Sequence, residues 1–284
     1  MHIEVNGHKT YAYTGGKDFN PAQRTVVLIH GVLCDHSVWA LQSRYLANHG
    51  WNVLAIDLPG HCRSAGAPPA SVQDAALFIQ AMLDAQGVQQ AAHTVIALLD
   101  AVGVSKAALI GHSLGSLIAL QAAAQAPERV SHLALVGTAF PMRVSQALLD
   151  GALNTPMKAI DMVNTFSHST LAPPPSALGP GTWLYGGNKA LMRRVLASNS
   201  QANVFHLGFK ACDSYTLGEE AMAKVQCPTL FVLGQHDQMT PPKAAQSLIG
   251  KAQQGQVIHL QAGHSLMTEA PDAVLHALVK FLKA

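Results

Sequence analysis

The chain has little charge. Only 12% of its 284 residues are Asp, Glu, Lys or Arg, and the formal net charge is +2. Its Lys and Arg residues are scattered, so the basic cluster that a nucleic-acid surface needs is absent and no nucleic-acid partner is expected. Long apolar runs are missing as well, although 49% of the residues are hydrophobic. None approaches the roughly 18 residues of a membrane span, and no membrane span is expected. Cysteine is scarce: Cys34, Cys62, Cys212 and Cys227 stand far apart, without the close pairs of a metal site, so neither a metal nor a structural disulfide is expected. The first residues, Met1 to Gly7, alternate like a strand and lack the basic start and apolar centre of a secretory signal. A cytoplasmic location is the expectation.

What is present is a rhythm. Buried-strand patterns, rich in β-branched residues and leucine, occur at Thr25 to Ile29, Val53 to Ile56, Ala107 to Ile110, Leu133 to Val136, Thr229 to Leu233 and Val257 to Leu260. Helical patterns stand between them. Asp35 to His49 carries an apolar face of Val38, Trp39, Leu41, Tyr45 and Leu46 and is closed by Gly50. Ser71 with Asp74 resembles a helix cap, and two helices are expected between Ala70 and Gly103. The last helix, Pro271 to Leu282, has the stripe Val274, Leu275, Leu278, Val279 and Leu282. Strand and helix in alternation predict an α/β protein with a mostly parallel, doubly wound sheet.

The rhythm breaks between residues 141 and 215. Helical stripes such as Met157, Ile160, Val163 and Phe166 alternate there with Pro173-Pro174-Pro175, Pro180-Gly181 and Gly186-Gly187. We read residues 141–215 as a helical lid inserted into a core made of residues 1–140 and 216–284. Length alone would allow two domains, and nothing else requires them.

Residues 111 to 115 read Gly-His-Ser-Leu-Gly, directly after a buried strand and before the apolar helical stretch 116–126. Glycines two positions either side of a serine let neighbouring backbone approach, and a strand-to-helix elbow then pushes the hydroxyl out of the sheet. The bare pentapeptide arises by chance in loops, so its context decides. A serine needs a base, a carboxylate behind that base and donors for an oxyanion. Asp237 follows the strand 229–233 and His264 follows the strand 257–260, both at carboxyl ends, where open α/β sheets gather functional groups.

Taken with His30-Gly31, Asp57-Leu58-Pro59-Gly60-His61, Arg63-Ser64 and Pro127-Glu128-Arg129-Val130, these motifs resemble the α/β-hydrolase superfamily over nearly the full chain. The order Ser, Asp, His also matches. The resemblance implies a serine esterase-like member with Ser113 as nucleophile, His264 as general base and acid, and Asp237 as its carboxylate. It also implies an oxyanion hole from the backbone N–H groups of Val32 and Leu114, and no cofactor. The chain departs from the family pattern at Cys62, where glycine is common, and in the extra helical length between Ala70 and Gly103.

Other polar residues have plainer readings. His30, His61 and His112 organise loops, His236 is solvated or locally bonded, and Asp213 is a weaker candidate for the acid. The expected reaction is hydrolysis of a carboxylic ester, or a thioester, of a small, largely apolar substrate through an acyl-enzyme. A second reading is a carbon-carbon bond hydrolase acting on a β-diketone or ring-cleavage product; a third, from another class, is a non-catalytic small-ligand sensor. Phe140, Met142, Phe166, Trp183 and Phe205 are the pocket candidates. A small-molecule substrate is the only partner the sequence argues for, and it leaves a homo-oligomer open.

Overall fold

The computed structural model describes residues 1–5, 8–20, 23–78, 106–169 and 183–283. Eight strands form one sheet: β1 (His2–Val5), β2 (His8–Tyr13), β3 (Arg24–Ile29), β4 (Trp51–Ile56), β5 (Ala107–His112), β6 (Val130–Val136), β7 (Thr229–Gly234) and β8 (Gly255–Leu260). Their spatial order is β1-β2-β4-β3-β5-β6-β7-β8. β1 pairs antiparallel with β2, and β2 with β4; every later pairing is parallel. The α/β-hydrolase fold expected from the motifs is the fold observed.

The continuous apolar runs are explained by helices on both faces of the sheet. Along β3, Val27 and Ile29 enter one core while Val26 and Leu28 enter the other. The first core is closed by α2 (Leu114–Gln125) and α7 (Gly218–Lys224), the second by α1 (Ala40–Asn48) and α10 (Pro271–Lys283). β8, expected to be buried, is instead largely exposed, because it forms the edge of the sheet.

Between β6 and β7 the described residues hold helices and no strand: α3 (Gln146–Asn154), α4 (Pro156–Ser167), α5 (Leu184–Ala197), α6 (Val204–Ser214) and then α7. They share a third apolar cluster that includes Leu148, Ile160, Val163, Val195 and Phe205. The remaining short helices are α8 (Gln246–Ile249) and α9 (Leu266–Glu269).

Several expectations shift in detail. The helix expected from Asp35 begins as a 3-10 turn, His36–Trp39, capped by the Asp35 side chain, and Leu41 is left partly exposed. On α10 the buried face is Val274, Ala277, Leu278, Phe281 and Leu282, a small rotation from the expected stripe. The Ser71 cap is present, its hydroxyl accepting from Asp74 N at 3.0 Å. The helical pattern beyond residue 78, through Gly103, and the proline cluster at 173–175 with Pro180-Gly181 lie outside the described residues.

Helix α2 approaches β5 and β3 more closely than a side chain permits. A Cβ on Gly111 would lie 2.0 Å from Gly115 O, and one on Gly115 would lie 2.4 Å from Ile29 O. Both obstacles are backbone, which cannot swing aside. Gly111→Ala and Gly115→Ala are each expected to lower stability by about 2 kcal/mol or more, as overpacking does. Urea denaturation checks this, and a midpoint equal to wild type would refute the close-approach account.

Candidate active site

The elbow follows from that approach. Ser113 stands between β5 and α2 at φ 53°, ψ −120°, a conformation that costs a non-glycine residue on the order of 1–3 kcal/mol. Its N–H donates to Val136 O at 3.0 Å. Its carbonyl accepts from the Ser116 hydroxyl at 2.5 Å, and that hydroxyl lies 2.8 Å from Thr138 Oγ1. The surroundings thus hold the strained turn in place.

A second positive φ occurs at Leu33, φ 52°, in the loop after β3. Among the described residues neither Val32 N–H nor Leu114 N–H donates to a protein acceptor. The loop is braced by His30, whose Nδ1–H donates to Gly31 O at 2.8 Å and whose Nε2 accepts from Leu58 N at 3.1 Å. Burial pushes the His30 pKa down and keeps the ring neutral, as that double role requires.

Asp237 and His264 meet where the sequence pattern places them. His264 Nδ1–H donates to Asp237 Oδ2 at 2.8 Å. Asp237 Oδ1 accepts from Met239 N at 2.8 Å and Thr240 N at 2.7 Å, while the Thr240 hydroxyl donates to Oδ2 at 2.7 Å. Thr240 Oγ1 also lies 3.0 Å from His264 Nδ1. Burial alone would raise the Asp237 pKa; the His264 charge and hydrogen bond, with those from Thr240, outweigh it and hold the carboxyl at about 2. The sequence marks Thr240 only as a helix cap before Pro241, whereas its hydroxyl serves Asp237, a hydroxyl three residues after an aspartate being the spacing of a local side-chain turn.

Ser113 and His264 line one cavity of about 50 Å³. Its apolar wall is Val32, Val163, Met192, Phe205, Phe209 and Met239, and its polar wall includes Asn188, Ser167 and Ser265. Of the expected pocket residues, Phe205 is there. Phe140 instead packs edge-on against Tyr215 over Gly218, and Met142 is buried in the first core. Phe166 and Trp183 are 44% and 61% exposed. On α4 the buried face is centred on Ile160, Val163 and Asn164, which turns Phe166 to the flank.

His112 and His61 take the structural roles expected of them. His112 Nε2–H donates to His264 O at 2.9 Å, tying β5 to the His264 loop, and His61 Nδ1–H donates to Pro59 O at 3.0 Å. Burial lowers their pKa values to about 3 and about 4. Asp213 accepts from Val144 N at 3.0 Å, far from any such pairing, and His236 bonds Gln261 at 3.0 Å. Cys34 lines the cavity, but burial and Asp35 push its thiol up to about 12, so it carries no thiolate.

A second set of charges was invisible in the sequence. Asp35, His36 and Asp57 bring one ligand atom each within 4.8 Å of one another, yet their oxygens are engaged by protein donors. Asp57 accepts from His36 N, His36 Nδ1 and Arg63 N. Asp35 accepts from Ser37 and, at 2.6 Å, from Arg194 of α5. Burial would raise Asp35, and the Ser37 and Arg194 bonds outweigh it to leave it at about 2. This cluster joins the loop after β3 to the loop after β4 and to α5.

A carboxyl that ionises more readily folded than unfolded stabilises the fold in full above its unfolded pKa and loses that contribution as pH falls through its folded one. With Asp237 and Asp35 at about 2 against an ordinary 3.8, the melting temperature is expected to fall as pH drops from about 4 to about 2. Asp237→Asn should flatten that slope. Thermal melts across this range check it, and an unchanged slope would count against the depressed carboxyl.

The family model for the alpha/beta hydrolase fold matches residues 24–271. Among curated proteins, the chain is 27% identical over 248 residues to a pimeloyl-[acyl-carrier protein] methyl ester esterase of Neisseria meningitidis serogroup C, covering 82% of each chain. Among solved structures, a thermophilic esterase superposes with a TM-score of 0.75 at 26% identity, covering 100% of this chain and 96% of the other. The enol-lactonase of Burkholderia xenovorans LB400 superposes with a TM-score of 0.73 at 21% identity over all of both chains, a likeness of fold. The chain belongs to the α/β-hydrolase fold family, as an enzyme of hydrolase kind with esterases among its relatives.

Proposed function

We propose that the protein is a serine hydrolase that cleaves a carboxylic ester through an acyl-enzyme, with Ser113 as nucleophile, His264 as general base and acid and Asp237 as its partner. The observation that carries this reading is the His264–Asp237 bond beside the strained Ser113, both His264 and Ser113 facing one cavity. Because His264 gives its Nδ1–H to Asp237, Nε2 is the basic nitrogen available to the serine. It takes the Ser113 proton as Oγ attacks the ester carbonyl, then returns that proton to the departing alcohol. Water repeats the sequence on the acyl-enzyme and frees the acid.

The oxyanion of each tetrahedral intermediate is taken by the N–H groups of Val32 and Leu114, whose donors have no protein acceptor among the described residues. Each such donor contributes on the order of 3 kcal/mol at the transition state. Residues 141–215 act as a lid over the site, contributing Val163, Met192, Phe205 and Phe209 to the wall, so the substrate is small and largely apolar. The esterase relatives favour an ester over a thioester or a carbon-carbon bond.

A fluorophosphonate probe is expected to label Ser113 alone, and Ser113→Ala to lose both labelling and at least about 10⁴-fold in kcat/KM on p-nitrophenyl esters. Asp237→Asn should lose on the order of 10⁴-fold while still folding. Ester turnover that survives Ser113→Ala would remove the proposal.

A further inference from the structure

A second apolar chamber lies beside the first, with Val32 lining the one and Leu114 the other. It is lined by Leu58, Ala75, Leu114, Ile118, Leu207 and Ala211, with Gly208 and His61. Helix α6 serves both spaces: Phe205 and Phe209 face the cavity at Ser113, while Val204, Leu207, Gly208 and Ala211 face the second. Ser113 and Leu114 are neighbours in the chain and line different spaces. The two linings meet at Gly208. A Cβ added there would lie 3.1 and 3.2 Å from the two methyls of Val32 and 3.6 Å from Leu114 Cδ2, so those two side chains meet over the bare glycine.

Size gives the second chamber a purpose. At roughly 10–15 Å³ per water-sized group, the first cavity of about 50 Å³ has room for about four. The ester group with its first alcohol carbon fills that space, and any acyl chain beyond acetyl needs another. The second chamber adds about 20 Å³, room for about one or two more such groups, and its lining includes the half-buried Pro68 and Pro69. Two of its polar side-chain atoms are already engaged. Ser71 Oγ accepts from Asp74 N, and His61 donates to Pro59 O while burial keeps it neutral. Such a lining takes hydrocarbon and rejects charge.

We infer that the second chamber binds the acyl chain of the substrate ester, which enters by rotation of the Leu114 side chain past Val32 and over Gly208, so that the substrate class is esters of short unbranched acyl chains, one or two carbons longer than acetyl. This rests on the reading of Ser113 as nucleophile. Leu114 then has two parts: its N–H faces the oxyanion and its side chain sets the chain length. Gly208 is a specificity residue because the absence of a Cβ there keeps the passage open. Val32 is β-branched and cannot easily yield to a new methyl.

The test is kcat/KM for p-nitrophenyl acetate, butanoate and octanoate on wild type, Gly208→Ala, Gly208→Val, Leu114→Ala and Ser113→Ala, with melting midpoints for each. Wild type is expected to prefer butanoate to both acetate and octanoate. Gly208→Val should cut the butanoate-to-acetate ratio at least tenfold, Gly208→Ala by a smaller factor in the same direction, and Leu114→Ala should raise octanoate relative to butanoate. If Gly208→Val does not fold, the single added methyl of Gly208→Ala decides. Ser113-dependent turnover whose ratio stays within twofold of wild type in the folded Gly208 variants would overturn the chamber and leave the nucleophile standing. Turnover that persists in Ser113→Ala would overturn both.

Discussion

The closeness of helix α2 to strands β3 and β5 is the constraint on which the site depends. Gly111 and Gly115 bring backbone against backbone, and the chain between them has to turn within three residues. Ser113 takes a conformation that only such a turn imposes. The same contact places the start of α2, with a Leu114 N–H that has no acceptor among the described residues, beside the loop that carries Val32. The positions of Ser113 and of the Leu114 N–H are therefore consequences of one packing event. The strain is stored in the elbow and offset by the sheet pairing and the Ser116–Thr138 brace around it.

Histidines show why pairing alone does not make a base. His36 bonds Asp57 at 2.7 Å, as close as His264 to Asp237, and both carboxylates are fully buried. What separates the pairs is the other side of the ring. His36 packs edge-on against Tyr11 and lies near Tyr13, while His264 opens on the cavity shared with Ser113. The buried His30, His61 and His112 form a third group, neutral rings that each bond a backbone carbonyl and fasten loops to one another. Dense histidine around the site is thus mainly a scaffold of hydrogen bonds, in which His264 is the ring that joins a buried carboxylate to the cavity at Ser113.

The parts legible in the sequence were those set by local rules. A strand buried on both faces reads as a continuous apolar run, and a turn at a strand end reads as glycine with a short polar residue, so the sheet and the positions of Ser113, Asp237 and His264 followed. Thr240 stood within reach of the same logic, three residues past Asp237. The Asp35–Arg194 bond and the His36–Asp57 pair did not, since their members are far apart in sequence or belong to separate loops brought together only by the sheet. Periodicity also marks that a helix has an apolar stripe without saying how far round the burial extends. Leu41 on α1 and Phe166 on α4 were misplaced for that reason.

That limit matters most for specificity. Phe205 and Phe166 are the same residue type on neighbouring helices, yet one lines the cavity and the other is 44% exposed, because α6 and α4 are seated with different phases. On α6 the phase puts aromatic rings toward Ser113 and, one step round, a glycine against Val32 and Leu114. A single helix thereby lines both spaces. Rotating α6 by one residue would keep its composition and hydrophobicity and exchange those roles. In the function proposed, the elbow sets how a bond is attacked, and the seating of this helix sets how much chain accompanies that bond into the site.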